Sequence, residues 1–291
     1  MLSILIPTYN YNARTLVADL RDLAFRENIS FEIIVGDDAS TEEREWMDEV
    51  SQWKRVRILH SPANEGRAYI CNRMAKAAHG DWLLFVDSDA RVDYDFSFLP
   101  YLQVIRKAKA VCGGLRTPAE NPNPRGTLRY KYERSADRYR LAAQRSAHPN
   151  RQLSTFNFLV KAKLFHEVGG FDVQCTEYGY EDMLFGVVLE SHGIQITHIE
   201  NPLVHMGIDT NEEFLGKTET ALRTLHKLGG KATEYSTLAQ TAKWLRKRGL
   251  APATLKIFNS SRNLIRRNLL SRHPSLHLFQ FYKLCYFMTL E

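Results

Sequence analysis

Two carboxylates lie one residue apart directly after an apolar segment. Residues Trp82–Val86 form a predicted strand, and Asp87, Ser88 and Asp89 follow it. Carboxylate oxygens are hard ligands, so such a pair suits Mg²⁺ or Mn²⁺, with phosphate oxygens of a substrate completing the coordination shell. Aspartates also end strands simply because they make turns. The choice between a site for a metal-bound diphosphate and a plain turn therefore depends on the neighbouring residues.

Polar side chains also follow three earlier apolar segments that are predicted to be strands. These candidates are Thr8 and Tyr9, Asp37 and Asp38, and Glu65 to Arg67. In a parallel sheet, ligands bind at the carboxyl ends of the strands, so these groups are expected at one edge. The chain has neither a Gly-x-Gly-x-x-Gly sequence after the first strand nor a Gly-Lys-Ser/Thr loop. A dinucleotide dehydrogenase and a P-loop enzyme are therefore disfavoured.

Apolar strands alternate with amphipathic segments along this part of the chain. Helical periodicity is found in residues 13–27, 41–53, 65–79 and 95–109. The predicted strands are Ser3–Pro7, Phe31–Gly36, Val56–His60 and Trp82–Val86, with weaker candidates at Val111–Leu115 and Ile194–Ile199. Alternation of nearly continuous apolar strands with helices predicts an α/β fold, a mostly parallel sheet covered by helices on both faces.

Composition is that of an ordinary globular chain, with 291 residues of which 44% are hydrophobic and 25% charged. The four cysteines are far apart and form no Cys-x-x-Cys pair, so neither a disulfide framework nor a zinc site is indicated. They are Cys71, Cys112, Cys175 and Cys285. No charged leader region precedes the first strand, and no apolar run reaches the roughly 18 residues of a membrane span. We expect the chain in the cytoplasm.

Positive charge is concentrated at the C-terminal end. Residues 240–291 contain ten Lys or Arg and a single acid, whereas residues 1–239 have a net charge of −3. We predict a main domain at residues 1–235 and a basic amphipathic helical tail at residues 236–291. Such a tail is typical of a peripheral contact with an anionic membrane, here on its cytoplasmic face. A helical hairpin packed on the main domain or in a dimer interface is the alternative, and no nucleic acid partner is expected.

The order of the motifs resembles a known family. Ser-Ile-Leu-Ile-Pro-Thr-Tyr-Asn, Gly-Asp-Asp-Ala-Ser, Asn-Glu-Gly-Arg and Val-Asp-Ser-Asp are similar to motifs of the family 2 glycosyltransferases of GT-A (Rossmann-like) fold. Later, Gly169–Asp172 and Gly179–Asp182 look like the C-terminal half shared by galactosyltransferases, polypeptide N-acetylgalactosaminyltransferases and chondroitin polymerases. The resemblance covers about residues 2–230. It implies an enzyme that uses a nucleoside diphosphate sugar.

This resemblance implies a set of residues that bind the donor, expected to be UDP-linked. Tyr9 would pack against the base, and Asp38 would accept a hydrogen bond from it. Arg67 would reach the base or a phosphate, and Asp87 would contact the ribose. The remaining donor-binding residues are Pro7, Thr8 and Ser88. Three alternatives stay open: Tyr9 fills the sheet edge, Asp37 or Asp38 caps the following helix, and Arg67 is a solvated helix residue.

Metal binding is assigned to Asp89 and His205. In the family pattern the second acid of the Asp-x-Asp pair contacts the metal. His205 lies 24 positions beyond Glu181, a spacing that resembles the metal-binding histidine of the N-acetylgalactosaminyltransferase relatives. A lone histidine at a strand end is more often structural. Imidazole with carboxylate favours Mn²⁺ over Mg²⁺.

Catalysis is assigned to Asp182 and Glu181. In the family pattern Asp182 is the general base that takes the proton of the acceptor hydroxyl, and Glu181 holds the acceptor sugar. The reverse assignment stays open, and both acids also suit the first turn of a helix. One displacement with one base implies inversion at the anomeric carbon. The acceptor is expected to be a saccharide or a lipid-linked saccharide, bordered by residues 116–151. The rival function is a catalytically silent protein that binds a sugar nucleotide or a glycan.

Overall fold

The structure is a computed structural model and describes residues 1–42, 44–173 and 179–290. Its strands are β1 (Leu2–Thr8), β2 (Phe31–Asp37), β3 (Val56–His60), β4 (Trp82–Val86), β5 (Ala90–Arg91), β6 (Ala110–Cys112), β7 (Leu115–Arg116), β8 (Asn157–Lys161), β9 (Thr197–His198) and β10 (Leu203–His205). Its first helices are α1 (Arg14–Arg26), α2 (Glu45–Ser51), α3 (Arg67–Ala77), α4 (Leu99–Val104), α5 (Thr127–Ala136), α6 (Ala142–Arg145), α7 (Ala162–Glu167) and α8 (Glu181–Ser191). The later helices are α9 (Asn211–Leu228), α10 (Gly230–Tyr235), α11 (Thr237–Lys247), α12 (Ala251–Leu269) and α13 (Leu276–Leu290).

A seven-stranded sheet forms the centre of one compact unit, which contains residues 1–42, 44–116, 138–173 and 181–207 among those described. The strand order is β3-β2-β1-β4-β8-β6-β9, and β3, β2, β1 and β4 are mutually parallel. Strand β8 runs antiparallel to both β4 and β6. A small second sheet has the order β5-β10-β7. The predicted mostly parallel α/β fold is confirmed.

Both faces of the sheet are buried. Every residue of β1 is buried, and successive side chains point to opposite faces, so Ile4 and Ile6 lie in one core cluster and Leu5 in the other. Helices α1 and α2 contribute to the first cluster, and α3, α7 and α8 contribute to the second. This double burial explains why the parallel strands are nearly continuous apolar runs.

One half-buried carboxylate of β2 carries a shifted pKa. Glu32 of β2 accepts hydrogen bonds from Ser3 Oγ at 2.6 Å, Arg57 Nη2 at 3.0 Å and the backbone N–H of His79 at 2.6 Å. Although burial acts to raise it, these bonds hold the pKa of Glu32 down at about 2. The ionised side chain therefore links β1, β2, β3 and the segment before β4.

The main differences from the predicted elements lie outside the first four strands. The predicted strand at Val111–Leu115 is divided into β6 and β7, and that at Ile194–Ile199 is only the two residues of β9. Strand β8 was not predicted. Helices α2 and α4 are shorter than the predicted helices at residues 41–53 and 95–109. The strands among these elements are short and form by pairing with segments that are distant in sequence. Local periodicity in the sequence carries no information about such pairing.

The second compact unit contains residues 117–137, 179–180 and 208–290 among those described. Helix α13 packs against α9, α11 and α12, and its buried side chains include Phe279, Tyr282 and Phe287. Helices are confirmed in the tail, and α12 with α13 forms a hairpin. The predicted domain boundary near residue 235 falls inside this unit and stays a prediction.

The described cysteines are unpaired. Cys71, Cys112 and Cys285 are buried and free, while Cys175 lies outside the described residues. Of the helices in the described part of the chain, none has both the length and the apolar character needed to cross a membrane.

Candidate active site

A cavity of about 280 Å³ opens at the carboxyl ends of β1, β2 and β4, beside the start of α3. This volume is near the lower end of small-ligand sites, roughly 300–1,000 Å³. Its lining residues are Pro7, Thr8, Tyr9, Tyr11, Asp38, Arg67, Ile70, Asp87, Ser88 and Asp89. The structure therefore brings together all seven residues predicted to bind the donor, and Asp89 lies with them. Their individual roles stay predictions.

Arg67 and Asp87 form an ion pair on the wall of this cavity. Arg67 Nε donates to Asp87 Oδ1 at 3.1 Å, and its Nη2 contacts the same oxygen at 2.5 Å. Burial raises the pKa of Asp87 to about 6, although the Arg67 charge opposes this shift. Burial also disfavours the guanidinium charge, but the carboxylate of Asp87 keeps the pKa of Arg67 above its usual value. Arg67 is thus a paired residue of the cavity rather than a solvated one.

The two acids at the end of β2 have different surroundings. Asp37 is buried, and its carboxylate accepts from the backbone N–H of Ser40 at 2.9 Å and contacts His60 Nδ1 at 2.9 Å. Asp38 accepts from the backbone N–H groups of Glu65 at 3.1 Å and Gly66 at 2.8 Å. Asp38 therefore fixes the turn that starts α3 while it also lines the cavity. Each carboxylate oxygen has a second lone pair, so these bonds leave acceptor capacity for a ligand.

Two tyrosines flank the cavity at the end of β1. The side chain of Tyr9 is 49% exposed and is available to stack on a planar group. The hydroxyl of Thr8 donates to the carbonyl of Tyr11 at 3.0 Å and so closes the loop between them. Burial and the nearby charge of Asp89 raise the pKa of Tyr11. Sequence reasoning missed Tyr11 and Ile70. The only sequence signal for Tyr11 was its position two residues after Tyr9, at the end of the same strand.

Asp89 and His205 face one another across the small sheet. Strand β5 begins directly after Asp89 and pairs antiparallel with β10, so that Ala90 lies opposite His205. The distance from His205 Nε2 to Asp89 Oδ2 is 3.1 Å, and the imidazole packs edge-on against Phe156. The His205 side chain is only 9% exposed. The sheet thus brings together two residues that lie 116 positions apart.

A glycine makes room for the Asp89 carboxylate. A Cβ atom on Gly207 would lie 1.9 Å from Asp89 Oδ2 and 2.8 Å from Asp89 Cγ. The backbone N–H of Met206 donates to the carbonyl of Asp89 at 2.9 Å, which holds the two chain segments at this close approach. The absence of a side chain at Gly207 is therefore a condition for the observed position of Asp89.

The residues around Asp89 suit a metal that is also held by its substrate. Among residues 1–42, 44–173 and 179–290, no group of three or more His, Cys, Asp or Glu is placed to hold an ion. Within the described ranges, the ligands would thus be Asp89 and His205. Mg²⁺ and related ions are commonly bound by one or two protein ligands together with substrate phosphates and water. The donor set of one carboxylate and one imidazole fits this arrangement.

Asp182 lies in the first turn of α8 and is held by Thr155. The backbone N–H of Thr155 donates to Asp182 Oδ2 at 3.1 Å, and the Thr155 hydroxyl donates to Asp182 Oδ1. The carbonyl of Thr155 in turn accepts from Arg67 Nη2 at 3.4 Å. Asp182 does not line the cavity itself, but Thr155 connects it to the Arg67–Asp87 pair. Glu181, the first residue of α8, is partly exposed.

The Gly-Gly-Phe-Asp motif has a structural function. Asn72 of α3 donates to the carbonyl of Phe171 at 2.8 Å and accepts from the backbone N–H of Phe171 at 2.9 Å. Gly170 has a φ of 72°, and a Cβ there would lie 2.6 Å from Asn72 Oδ1. The motif thus anchors the segment before α8 to α3.

A cavity lined by Asp38, Asp87 and Asp89 thus lies at the carboxyl edge of a mostly parallel α/β sheet, where proteins of this class commonly bind their ligands. Residues 3–169 match glycosyl transferase family 2, and the chain belongs to this family. The predicted family and GT-A fold are confirmed. The match ends before Glu181, Asp182 and His205, so the roles of these three residues stay predictions.

Other known proteins are similar over part or all of the chain. An uncharacterized glycosyltransferase of Haemophilus influenzae is 38% identical over 89 residues, which are 31% of this chain and 29% of that protein. The matched segment is thus less than a third of that relative's length. The crystal structure of S. aureus TarS 1-349 aligns with 100% of this chain and 90% of its own, with a TM-score of 0.53 and 17% identity. Another S. aureus TarS structure aligns over 91% and 48%, with a TM-score of 0.52 and 16% identity. These two similarities concern the fold.

Proposed function

We propose that this protein is a metal-dependent inverting glycosyltransferase that moves a sugar from a nucleoside diphosphate sugar, expected to be UDP-linked, to a hydroxyl of a saccharide or lipid-linked saccharide. The observation that carries the proposal is the convergence of Tyr9, Asp38, Arg67 and Asp87 with Asp89 on one cavity. Membership of glycosyl transferase family 2 supports transfer as the reaction class.

In this proposal the cavity residues bind and orient the donor. The exposed ring of Tyr9 stacks on the base, and Asp38, already fixed by two backbone N–H groups, accepts a hydrogen bond from it. Asp87 accepts from the ribose hydroxyls, and Arg67 keeps it ionised and in position. Because these groups are held by hydrogen bonds before the donor arrives, little ordering remains to be done on binding.

Asp89 and His205 would hold the metal, which we expect to be Mn²⁺ or Mg²⁺. When bound, the metal supplies positive charge that stabilises the diphosphate leaving group. The imidazole is packed against Phe156, so it has one defined orientation toward the Asp89 carboxylate. The rigid strand pairing of β5 with β10 keeps the two ligands together.

Asp182 would act as the general base. It accepts the proton of the acceptor hydroxyl while the acceptor oxygen forms a bond to the anomeric carbon and the bond from that carbon to the diphosphate oxygen breaks. This single displacement inverts the anomeric centre. Thr155 donates two hydrogen bonds to Asp182 and so orients it, and the remaining lone pairs of the carboxylate can take the proton. Glu181 would hold the acceptor sugar, with residues 116–151 bordering the acceptor. A peripheral membrane contact through residues 240–291 would suit a lipid-linked acceptor.

A screen of nucleotide sugars for Mn²⁺-dependent release of nucleoside diphosphate tests this proposal. Asp89→Ala should abolish the metal-dependent release, and Asp182→Asn should slow transfer by about 10²–10⁴-fold, the usual contribution of a general base. The matched control is Asp48→Asn on the exposed face of α2, which should change neither.

The rival function, a silent sugar-nucleotide or glycan-binding protein, makes a different prediction. It would bind UDP in calorimetry yet release no sugar from any donor, and Asp182→Asn would change nothing. A crystal with UDP and manganese in which the ion is remote from Asp89 would also refute the proposed metal site.

A further inference from the structure

Helix α12 has two apolar faces rather than one. Phe258 and Ile265 are buried in the second unit. On a different face, Ile257 is 61% exposed and Leu264 is 70% exposed. These two residues are seven positions apart, two helical turns, and so lie on the same side of the helix. A helix that only packs on its neighbours presents polar residues to solvent, so the exposed stripe needs a partner.

The same outer surface carries uncompensated positive charge. Residues 236–290 contain ten Lys or Arg and neither Asp nor Glu. Lys256 and Arg267, both exposed, make no ion pair with any residue in the described ranges. Arg266, by contrast, lies within 3.6 Å of Glu212 and 3.7 Å of Glu219. Arg266 is thus neutralised by acids of α9, while Lys256 and Arg267 lie beside the exposed aliphatic pair.

Exposed apolar side chains continue from α12 to α11. Leu250, seven positions before Ile257, is 46% exposed. Trp244 of α11 is 51% exposed, and the guanidinium of Arg248 lies 5.6 Å from the centre of its ring. Tryptophan beside basic residues is typical of segments that lie at a membrane–water interface.

We infer that the outer face of α12, with Ile257 and Leu264 at its centre, docks on an anionic lipid bilayer. The aliphatic side chains would enter the boundary between headgroups and acyl chains, and Lys256 and Arg267 would contact the anionic headgroups. The inference rests on the peripheral membrane contact proposed above and identifies its surface. It does not depend on sugar transfer.

Charge argues against the two other occupants. A second copy of the chain paired through this face would bring Lys256 and Arg267 of the two copies together without any acid to neutralise them. A nucleic acid would satisfy the cations, but aliphatic side chains offer no stacking surface to its bases. An anionic bilayer satisfies the apolar and the charged residues together.

Flotation of the full chain with vesicles tests the inference, without donor or metal. The chain should float with vesicles of phosphatidylcholine and phosphatidylglycerol, float much less with phosphatidylcholine alone, and be released by high salt. Lys256→Gln/Arg267→Gln should weaken the partition coefficient about 30-fold, because each cation near an anionic surface contributes roughly a factor of five. Ile257→Ser/Leu264→Ser should weaken it at least about tenfold.

Matched controls lie on exposed residues of the other compact unit. Leu99→Ser/Leu102→Ser removes two leucines that are 48% and 39% exposed, and Arg106→Gln/Lys107→Gln removes two exposed cations. Both control variants should float like the unchanged chain, and all variants should keep its melting temperature.

Three outcomes overturn the inference. The first is that the chain does not float with anionic vesicles. The second is that it floats equally in both α12 double variants, which would leave a membrane contact through other residues. The third is that Ile257→Ser/Leu264→Ser converts a dimer to a monomer in light scattering while vesicles bind nothing. Release of nucleoside diphosphate in vesicle-free solution should be the same in all these variants. Flotation without any sugar release would refute only the proposed enzyme.

Discussion

Substitution of Gly207 by alanine tests the position of Asp89 without removing a functional group. The new Cβ would lie 1.9 Å from Asp89 Oδ2, whereas real Cβ contacts are essentially never shorter than 3.0 Å. Gly207 does not have a positive φ, so the backbone itself accepts alanine. Relief of the contact therefore requires the carboxylate to move by about 1 Å or β10 to separate from β5. Either change alters the geometry of Asp89 relative to His205.

A misplacement of about 1 Å at a reacting group can cost about 100-fold in rate. We expect Gly207→Ala to lower Mn²⁺-dependent donor hydrolysis by about this factor. Its affinity for Mn²⁺, measured from the spin resonance signal of the free ion, should fall as well. The matched control is Gly216→Ala in α9, where nothing lies within 4 Å of the new Cβ. That variant should keep activity and gain about 0.5–1 kcal/mol in free energy of unfolding.

Activity and Mn²⁺ affinity within about twofold of the unchanged protein would refute this reasoning. A double-mutant cycle with Asp89→Ala distinguishes a local clash with the Asp89 carboxylate from a general loss of stability. The stability loss caused by Gly207→Ala should largely disappear when Asp89 is already alanine, because the carboxylate that causes the clash is then absent.

Two further predictions concern the half-buried carboxylates Asp182 and Glu32. Thr155→Val should lower kcat for transfer about tenfold with little change in the KM for the donor, because Asp182 loses the hydroxyl hydrogen bond that orients it. Thr155→Ser should restore kcat, and an unchanged kcat in Thr155→Val would contradict the positioning role. Glu32, with a folded pKa of about 2, contributes stability that is complete above pH 5 and is lost as the pH falls toward 2. Between pH 5 and pH 3, urea unfolding of the unchanged chain should lose about 2 kcal/mol more than that of Glu32→Gln, and equal losses would count against the Glu32 assignment.

Sequence reasoning predicted the fold best where burial is continuous. Strands β1, β2 and β4 are buried almost throughout and are mostly apolar, so their pattern identifies them almost to the residue. Strand β8 was missed although four of its five residues are buried. It pairs antiparallel with β4 and β6, which are distant in sequence. The local hydrophobic pattern of a segment does not predict such partners. The two-residue strands β5 and β9 exist only through such pairing.

The site was predictable where a residue type carries chemistry at a strand end. All the predicted donor-binding residues and Asp89 line one cavity. Thr155 and Gly207 escaped because their importance is positional. A buried threonine is an ordinary residue until Asp182 is seen to accept its hydroxyl, and a glycine after β10 gives no signal until Asp89 is seen against it. Contacts of this kind depend on the folded geometry.

Strand β8 also bears on how such chains can diversify. The chain leaves the central sheet after β6 and returns at β8, which is held in register by five pairs with β4 and three with β6. A longer connection between two strands destabilises the fold only slightly, because the free-energy cost of loop closure rises by about 0.6 kcal/mol for each doubling of the length of a flexible loop. Insertions between these two strands can therefore change the surface that the inserted residues form, while the strand pairing and the cavity at the ends of β1, β2 and β4 keep their positions. The segment between β6 and β8 is therefore a place at which sequence changes can alter the protein surface with little effect on the central sheet.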